Sequence, residues 1–255
     1  MKREEGYDAG GSRVGAREGG VSAQRGRRGR RRESHRSDGE IRRRMEQSSL
    51  HPTCWAESIA SCLEAQLRQF HHIDVRLSIQ ELVNSVPKDP PEGGSIREAP
   101  KFIMKYGMRH EEDYPYSGLP NFPPLSPPRE LYGRRIYPLR RHNGYSVLTN
   151  KNGDTEILHW LRRSPLIAGL FTDKKFDDVE WDIYSTKKRN TEDDHSVVLA
   201  GYGVAIQTKY LLIQNSFGSS WGINGYGRIL NCEDYRIVVF VPHIRPIEEL
   251  FTYIE

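Results

Sequence analysis

The stretch His51-Pro-Thr-Cys-Trp-Ala-Glu-Ser-Ile-Ala-Ser-Cys-Leu-Glu-Ala-Gln-Leu-Arg-Gln-Phe70 decides how the rest of this 255-residue chain is read. Pro52 is a turn former and Thr53 a candidate N-cap. After them Trp55, Ile59, Leu63, Leu67 and Phe70 recur at spacings of four or three. That spacing predicts a helix with the five side chains along one side. Cys54 falls on its first turn, where unpaired backbone N–H groups and the macrodipole favour the thiolate, the nucleophilic form of cysteine. The commoner role of a free cysteine is that of a small buried hydrophobe. The two roles separate on whether the chain also supplies a base and a group to orient it.

Composition narrows the classes. Residues 1–50 hold 14 Lys and Arg against 8 Asp and Glu, and the remainder holds 24 against 26. The basic character therefore belongs to the N-terminal segment, and the rest is near neutral. No apolar run approaches the roughly 18 residues that span a bilayer, so no membrane partner is expected. The N-terminus has charge without an apolar core, unlike a secretory signal peptide. Three cysteines, Cys54, Cys62 and Cys232, leave at most one disulfide if Cys54 is a free nucleophile, which suits a reducing compartment, cytoplasmic or nuclear.

Residues 1–45 are rich in Gly, Arg, Ser and Glu with Tyr7 as their one aromatic, a composition expected to be disordered. Their basic clusters, Arg25–Arg32 and Arg42–Arg44, read as a solvated tail or as a nucleic-acid-binding or nuclear-localisation arm. Residues 46–255 form the globular part. Within it, Ser78 and Glu81 open a short helical segment, Leu77–Val83, in a capping-box pattern. Lys88–Gly94 reads as a Pro/Gly loop. Ile96–Tyr106 reads as a helix closed by Gly107, and Asp154–Arg163 as another that ends before Pro165. The Pro- and Tyr-rich stretch 111–128 reads as a boundary between a helical lobe (about 46–128) and a β-rich lobe (about 129–255). In the latter, Tyr145–Leu148, Leu166–Phe171, Ser196–Tyr202, Tyr210–Gln214, Gly225–Leu230 and Ile237–Val241 are short apolar runs divided by Gly, Asn or Asp. Helices in front and strands behind predict an α+β fold in two lobes.

Two polar residues interrupt the strand runs. His195 stands at the mouth of Ser196–Ala200, and Asn215 ends Tyr210–Gln214. A thiol nucleophile needs such partners: an imidazole to take the proton and return it to a leaving amine, and an amide oxygen to hold that ring. Trp221, in the loop after Asn215, is placed to keep water off the pair. No His/Cys/Asp/Glu spacing resembles a metal site, and no metal or organic cofactor is expected.

These residues together resemble the papain-like cysteine peptidase family. Cys54-Trp55-Ala56 with Ser58 is similar to its nucleophile helix, and Leu77–Val83 to the helix that follows. Gly93-Gly94 matches a glycine pair lining the substrate cleft, and Glu111–Tyr116 a segment past the next helix. Asp194–Gly203 matches the histidine block and Tyr210–Ile229 the asparagine block. His195 follows Cys54 by 141 positions, inside the roughly 130–150 typical of the family. The resemblance implies a helical lobe and a β-barrel-like lobe with an active-site cleft between them. It implies an endopeptidase acting on peptide or protein substrates through Cys54, His195 and Asn215 and a thioester acyl-enzyme, with Gly93, Gly94, Ser196 and Trp221 near the substrate.

The departures mark the resemblance as one to a divergent, plant-type member lacking signal peptide and prosegment, and they define the second reading, a catalytically impaired papain-like protein that serves as a binding protein. The two positions of a family disulfide hold His51 and Ser85. The oxyanion glutamine belongs six residues before the nucleophile, where Ser48 stands; Gln47 is one further back, and a one-residue bulge would restore it as the oxyanion-hole residue that the resemblance implies. Glu57 puts a carboxylate one turn from the thiol, where it opposes ionisation. Residues 1–45 match neither the signal peptide nor the prosegment of relatives, which are usually vacuolar, lysosomal or secreted. Oligomeric state and substrate preference are not encoded legibly.

Overall fold

The computed structural model describes residues 53–86, 88–89, 93–94, 96–117, 134–149, 154–185, 194–231 and 237–251. The N-terminal tail, Gln47, Ser48, Cys232 and the expected lobe boundary near residue 128 lie outside them. The first helix, α1 (Cys54–His71), follows the predicted stripe. Trp55, Ile59, Leu63 and Leu67 are buried, but Phe70 is 47% exposed. Arg68, Gln69 and Phe70 are all exposed, so the buried stripe ends at Leu67.

Helix α2 (Ile79–Ser85) starts at Ser78, whose hydroxyl accepts the Glu81 N–H at 3.1 Å. The expected box is only half made. The Ser78 N–H donates to the Arg109 carbonyl at 3.0 Å, and the Glu81 carboxylate turns to two arginines. Helix α3 (Glu98–Tyr106) tolerates Pro100 because it falls in the first turn, where no intrahelical N–H partner is needed. Lys88–Gly94, expected as plain loop, contains an antiparallel ribbon in which Lys88–Asp89 (β1) pairs with Gly93–Gly94 (β2). A second ribbon joins Met108–Arg109 (β3) to Arg135–Ile136 (β4), and a further helix, α4, spans Asp154–Leu161.

The larger sheet comprises β5 (Tyr145–Thr149), β6 (Leu166–Phe171), β7 (Ile183–Tyr184), β8 (Asp194–Ala205), β9 (Thr208–Gln214), β10 (Tyr226–Leu230) and β11 (Ile237–Pro242). Their order is β5-β11-β6-β8-β9-β10-β7, antiparallel except for the β10–β7 pair. In β6, β11 and the first half of β8, side chains alternate between two covered faces. Ile167, Val198 and Phe240 join the core of α1, α2 and α3. Their neighbours Leu166, Ala168, Val197, Leu199, Val239 and Val241 join a second core with α4, Phe176 and Trp221. Both faces being covered explains why these strands read as continuous apolar runs rather than as alternations. The same alternation turns Ser196 toward α1 and His195 toward the aromatic residues of the second core. Gly227 makes room on that side: a Cβ there would lie 2.4 Å from the Trp221 ring.

Candidate active site

His195 is the second residue of β8, and Asn215 follows the last residue of β9. These strands are antiparallel, with Val198 opposite Gln214, so the two functional positions fall at one end of the pair. His195 Nε2 lies 2.7 Å from Asn215 Oδ1, and the Ser216 N–H donates to the same oxygen at 2.9 Å. A backbone N–H only donates, so the atom facing it is the amide oxygen. His195 Nε2 must then carry the proton, which leaves Nδ1 with a lone pair, as a base requires.

Two phenyl rings bracket the imidazole, Phe176 at 5.3 Å and Phe217 at 5.1 Å between centroids. Phe176 ends a 3-10 turn, Lys174–Phe176. Trp221 stands behind both, and its indole N–H donates to the Phe176 carbonyl at 2.8 Å. Trp221, expected near the substrate and the His–Asn bond, is 5% exposed and is linked to the imidazole through the phenyl rings. Burial lowers the His195 pKa, opposed by the bond to Asn215 and the carboxylate of Asp177. Neither Phe176 nor Asp177 was found from the sequence. They lie on an irregular segment with no period to follow, and only their place beside β8 gives them meaning.

Cys54 opens α1 and is partly buried. Burial pushes its thiol up to about 11; the backbone N–H groups of Ser196, Trp55 and Cys54 itself pull the other way, and the Glu57 carboxylate adds to the rise. The helix terminus thus supplies the donors expected of it, but desolvation outweighs them. The Thr53 hydroxyl donates to Glu57 Oε1 at 2.7 Å instead of capping the backbone. A thiol pushed up to about 11 keeps its proton at neutral pH.

Ser196, expected at the substrate pocket, is 5% exposed and shares a 2.7 Å hydrogen bond with the hydroxyl of Ser58 on α1. Gly93 and Gly94 form β2 of the small ribbon. Gln47 is outside the described residues. Among those described, no group of three His, Cys, Asp or Glu side chains is arranged to hold a metal ion.

The Glu57 charge can be isolated. Glu57→Gln keeps an oxygen for the Thr53 hydroxyl and removes the negative charge that opposes ionisation. Alkylation of Cys54 at pH 7 is expected to quicken about three- to tenfold, the effect of lowering a pKa by half a unit to one unit. Iodoacetamide labelling across pH 7–12 measures it, and an unchanged midpoint would remove Glu57 from the electrostatics of the thiol.

The description "papain family cysteine protease" fits residues 35–239 as a family model. A viral cathepsin of Spodoptera litura multicapsid nucleopolyhedrovirus is 30% identical over 185 residues, 69% of this chain and 50% of that protein. A cysteine proteinase of Brassica napus is 30% identical over 181 residues, 69% of this chain and 52% of that protein. The chain spans about half the length of these curated relatives. Among solved structures, the bromelain protease of Ananas comosus in complex with the E64 inhibitor superposes with a TM-score of 0.62 at 20% identity, covering 76% of this chain and 89% of that one. The digestive procathepsin L2 proteinase of Tenebrio molitor gives 0.60 at 24% identity, covering 74% and 61%. At such identities the superpositions speak for the fold.

Proposed function

The chain belongs to the papain family of cysteine proteases, and from that premise we propose that it hydrolyses peptide bonds with Cys54 as nucleophile, His195 as acid and base, and Asn215 as the group that holds the ring. The observation that carries this reading is the His195–Asn215 bond, whose second donor at Ser216 fixes the tautomer with a lone pair on Nδ1. Cys54 sulfur attacks the substrate carbonyl while Nδ1 takes the thiol proton. The imidazolium so formed is favoured by the Asn215 oxygen and the Asp177 carboxylate. The tetrahedral intermediate collapses to a thioester as Nδ1–H protonates the departing amine. Water, deprotonated by the same nitrogen, then attacks the thioester and frees the acid and the thiol. Gln47 and the Cys54 N–H are the proposed oxyanion donors; losing one such donor costs on the order of 10²–10³ in rate.

A second reading, a binding protein that keeps the fold without the chemistry, is favoured by the raised thiol pKa and by Glu57 beside it. An epoxide directed at papain-type thiols separates the two. Wild type is expected to be labelled at Cys54 far faster than an ordinary thiol and to cleave peptides, and Cys54→Ala to do neither. Labelling at the ordinary rate, with no cleavage between pH 4 and 8, would leave the binding protein.

Cys54→Ala also reports on burial through stability. The folded thiol titrates at about 11 against an ordinary 9.0, so its contribution is whole below pH 9 and is lost as pH rises to about 11. Between pH 8 and 10.5 wild type is therefore expected to lose more unfolding free energy than Cys54→Ala, by about 2 kcal/mol. Urea denaturation at the two pH values checks it; equal losses would mean that the folded thiol titrates normally.

A further inference from the structure

Ser58 and Ser196 are 138 positions apart in sequence, buried, and joined oxygen to oxygen at 2.7 Å. Ser58 lies one turn along α1 from Cys54, and Ser196 is the residue after His195. The bond therefore ties the element that carries the thiol to the strand that carries the imidazole.

Proton bookkeeping gives it a direction. Each hydroxyl has one hydrogen, and the other acceptors in reach are the Trp55 carbonyl, 3.1 Å from Ser58 Oγ, and the Ala168 carbonyl, 3.5 Å from Ser196 Oγ. If Ser58 donates to Trp55 and Ser196 donates to Ser58, the bonds are 3.1 and 2.7 Å long. The reverse assignment uses 2.7 Å and a marginal 3.5 Å. The first is the better pair, so Ser196 is the donor across the junction. The Trp55 carbonyl anchors the far end to the first turn of α1, and the Ser196 backbone N–H faces the Cys54 thiol. One residue thus meets the nucleophile helix with its side chain and the nucleophile itself with its main chain.

We propose that the Ser196–Ser58 bridge sets the position of Cys54 relative to His195, making Ser196 a positioning residue of the reaction and not part of the substrate pocket. The inference rests on the roles assigned above to Cys54 and His195. The charged group that acts on the thiol is Glu57 on α1, Asp177 acts on the imidazole, and the bridge itself adds no charge.

The test measures iodoacetamide labelling of Cys54 across pH 7–12, located by peptide mass, in wild type, Ser196→Ala, Ser58→Ala and the double variant. Circular dichroism and thermal melting show that each is folded. Ser196→Ala leaves Ser58 its Trp55 carbonyl and cuts only the junction. Its labelling at pH 7 is expected to fall about fivefold, with the pH midpoint moved upward. Ser58→Ala should act in the same direction, and the double variant should be no worse than the poorer single one, because both remove one bond. On a peptide substrate, kcat should fall while KM holds. Labelling within twofold of wild type accompanied by a lower melting temperature, effects that multiply in the double variant, or a raised KM with unchanged kcat would each overturn the proposal. If wild type cleaves no peptide, the proposed function falls, and the labelling series still decides the bridge.

Discussion

Glu81→Ala is expected to lower the melting temperature by roughly 10 °C or more. The Glu81 and Arg135 side chains are 4% and 1% exposed and lie 2.8 Å apart. Arg135 also donates to the Tyr106 carbonyl at 2.7 Å and the Gly107 carbonyl at 3.3 Å, where α3 ends. Glu81 Oε2 accepts the Arg109 N–H at 2.7 Å. A single carboxylate thus joins α2 to both strands of the β3–β4 ribbon. Removing it leaves a guanidinium buried without its counter-charge, which costs about 3–5 kcal/mol out of a total stability of about 5–15 kcal/mol.

The pair must be distinguished from its halves. Taking two charges out of water offsets most of their attraction, so deleting both costs far less than deleting one. Glu81→Leu with Arg135→Met is expected to recover only part of the loss, since the Arg109 guanidinium, 3.4 Å from Glu81, still loses this carboxylate, and the Arg109 N–H and the Tyr106 and Gly107 carbonyls still lose partners. Urea melts of the two single variants and the double one check this. A Glu81→Ala cost below about 1 kcal/mol would show the network to be dispensable, as exposed ion pairs usually are.

Glu81 also marks where the sequence could and could not be read. Its place three residues after Ser78 identified the start of α2, because capping is local and depends on spacing alone. Its partners Arg109 and Arg135 are 28 and 54 positions away, and no local pattern announces them. The same division holds at the site. The helix start at Cys54 and the strand ends at His195 and Asn215 were legible, and it was the family resemblance that joined the three into one candidate site. Phe176 and the joining of Ser58 to Ser196 depend on which strands become neighbours. Sheet order here is β6-β8-β9, with β11 inserted between β5 and β6, and a chain-order reading cannot supply that. The thiol pKa failed to follow its helix position for a related reason: burial is a property of what packs over α1, and it exceeded the local donors.

Asn215→Ala is expected to lower kcat for peptide hydrolysis by about 10²–10³, with the folded state kept. The loss is one of orientation. Asn215 Oδ1 is the acceptor that keeps the proton on Nε2 and the lone pair on Nδ1; without it the tautomers approach balance and the ring turns between the phenyl faces of Phe176 and Phe217. Asn215→Asp separates orientation from charge. A carboxylate accepts the same two bonds, from His195 Nε2 and Ser216 N, so the geometry and most of the rate should survive. Its negative charge favours the imidazolium and raises the His195 pKa, which burial holds low in the native protein. The base must be neutral to accept the thiol proton, so the acidic limb of kcat/KM should move to higher pH in Asn215→Asp. Stability shifts with the same sign. A histidine whose folded pKa lies below its unfolded value lends stability that is whole above about pH 6.5 and is lost as pH falls through the folded pKa. In Asn215→Asp that depression shrinks, and the loss of stability in acid should shrink with it. Rate profiles and urea melts between pH 4 and 8 read both effects. A limb that stays in place would mean that His195 does not act as the base, and a full rate in Asn215→Ala would mean that the phenyl rings alone hold it.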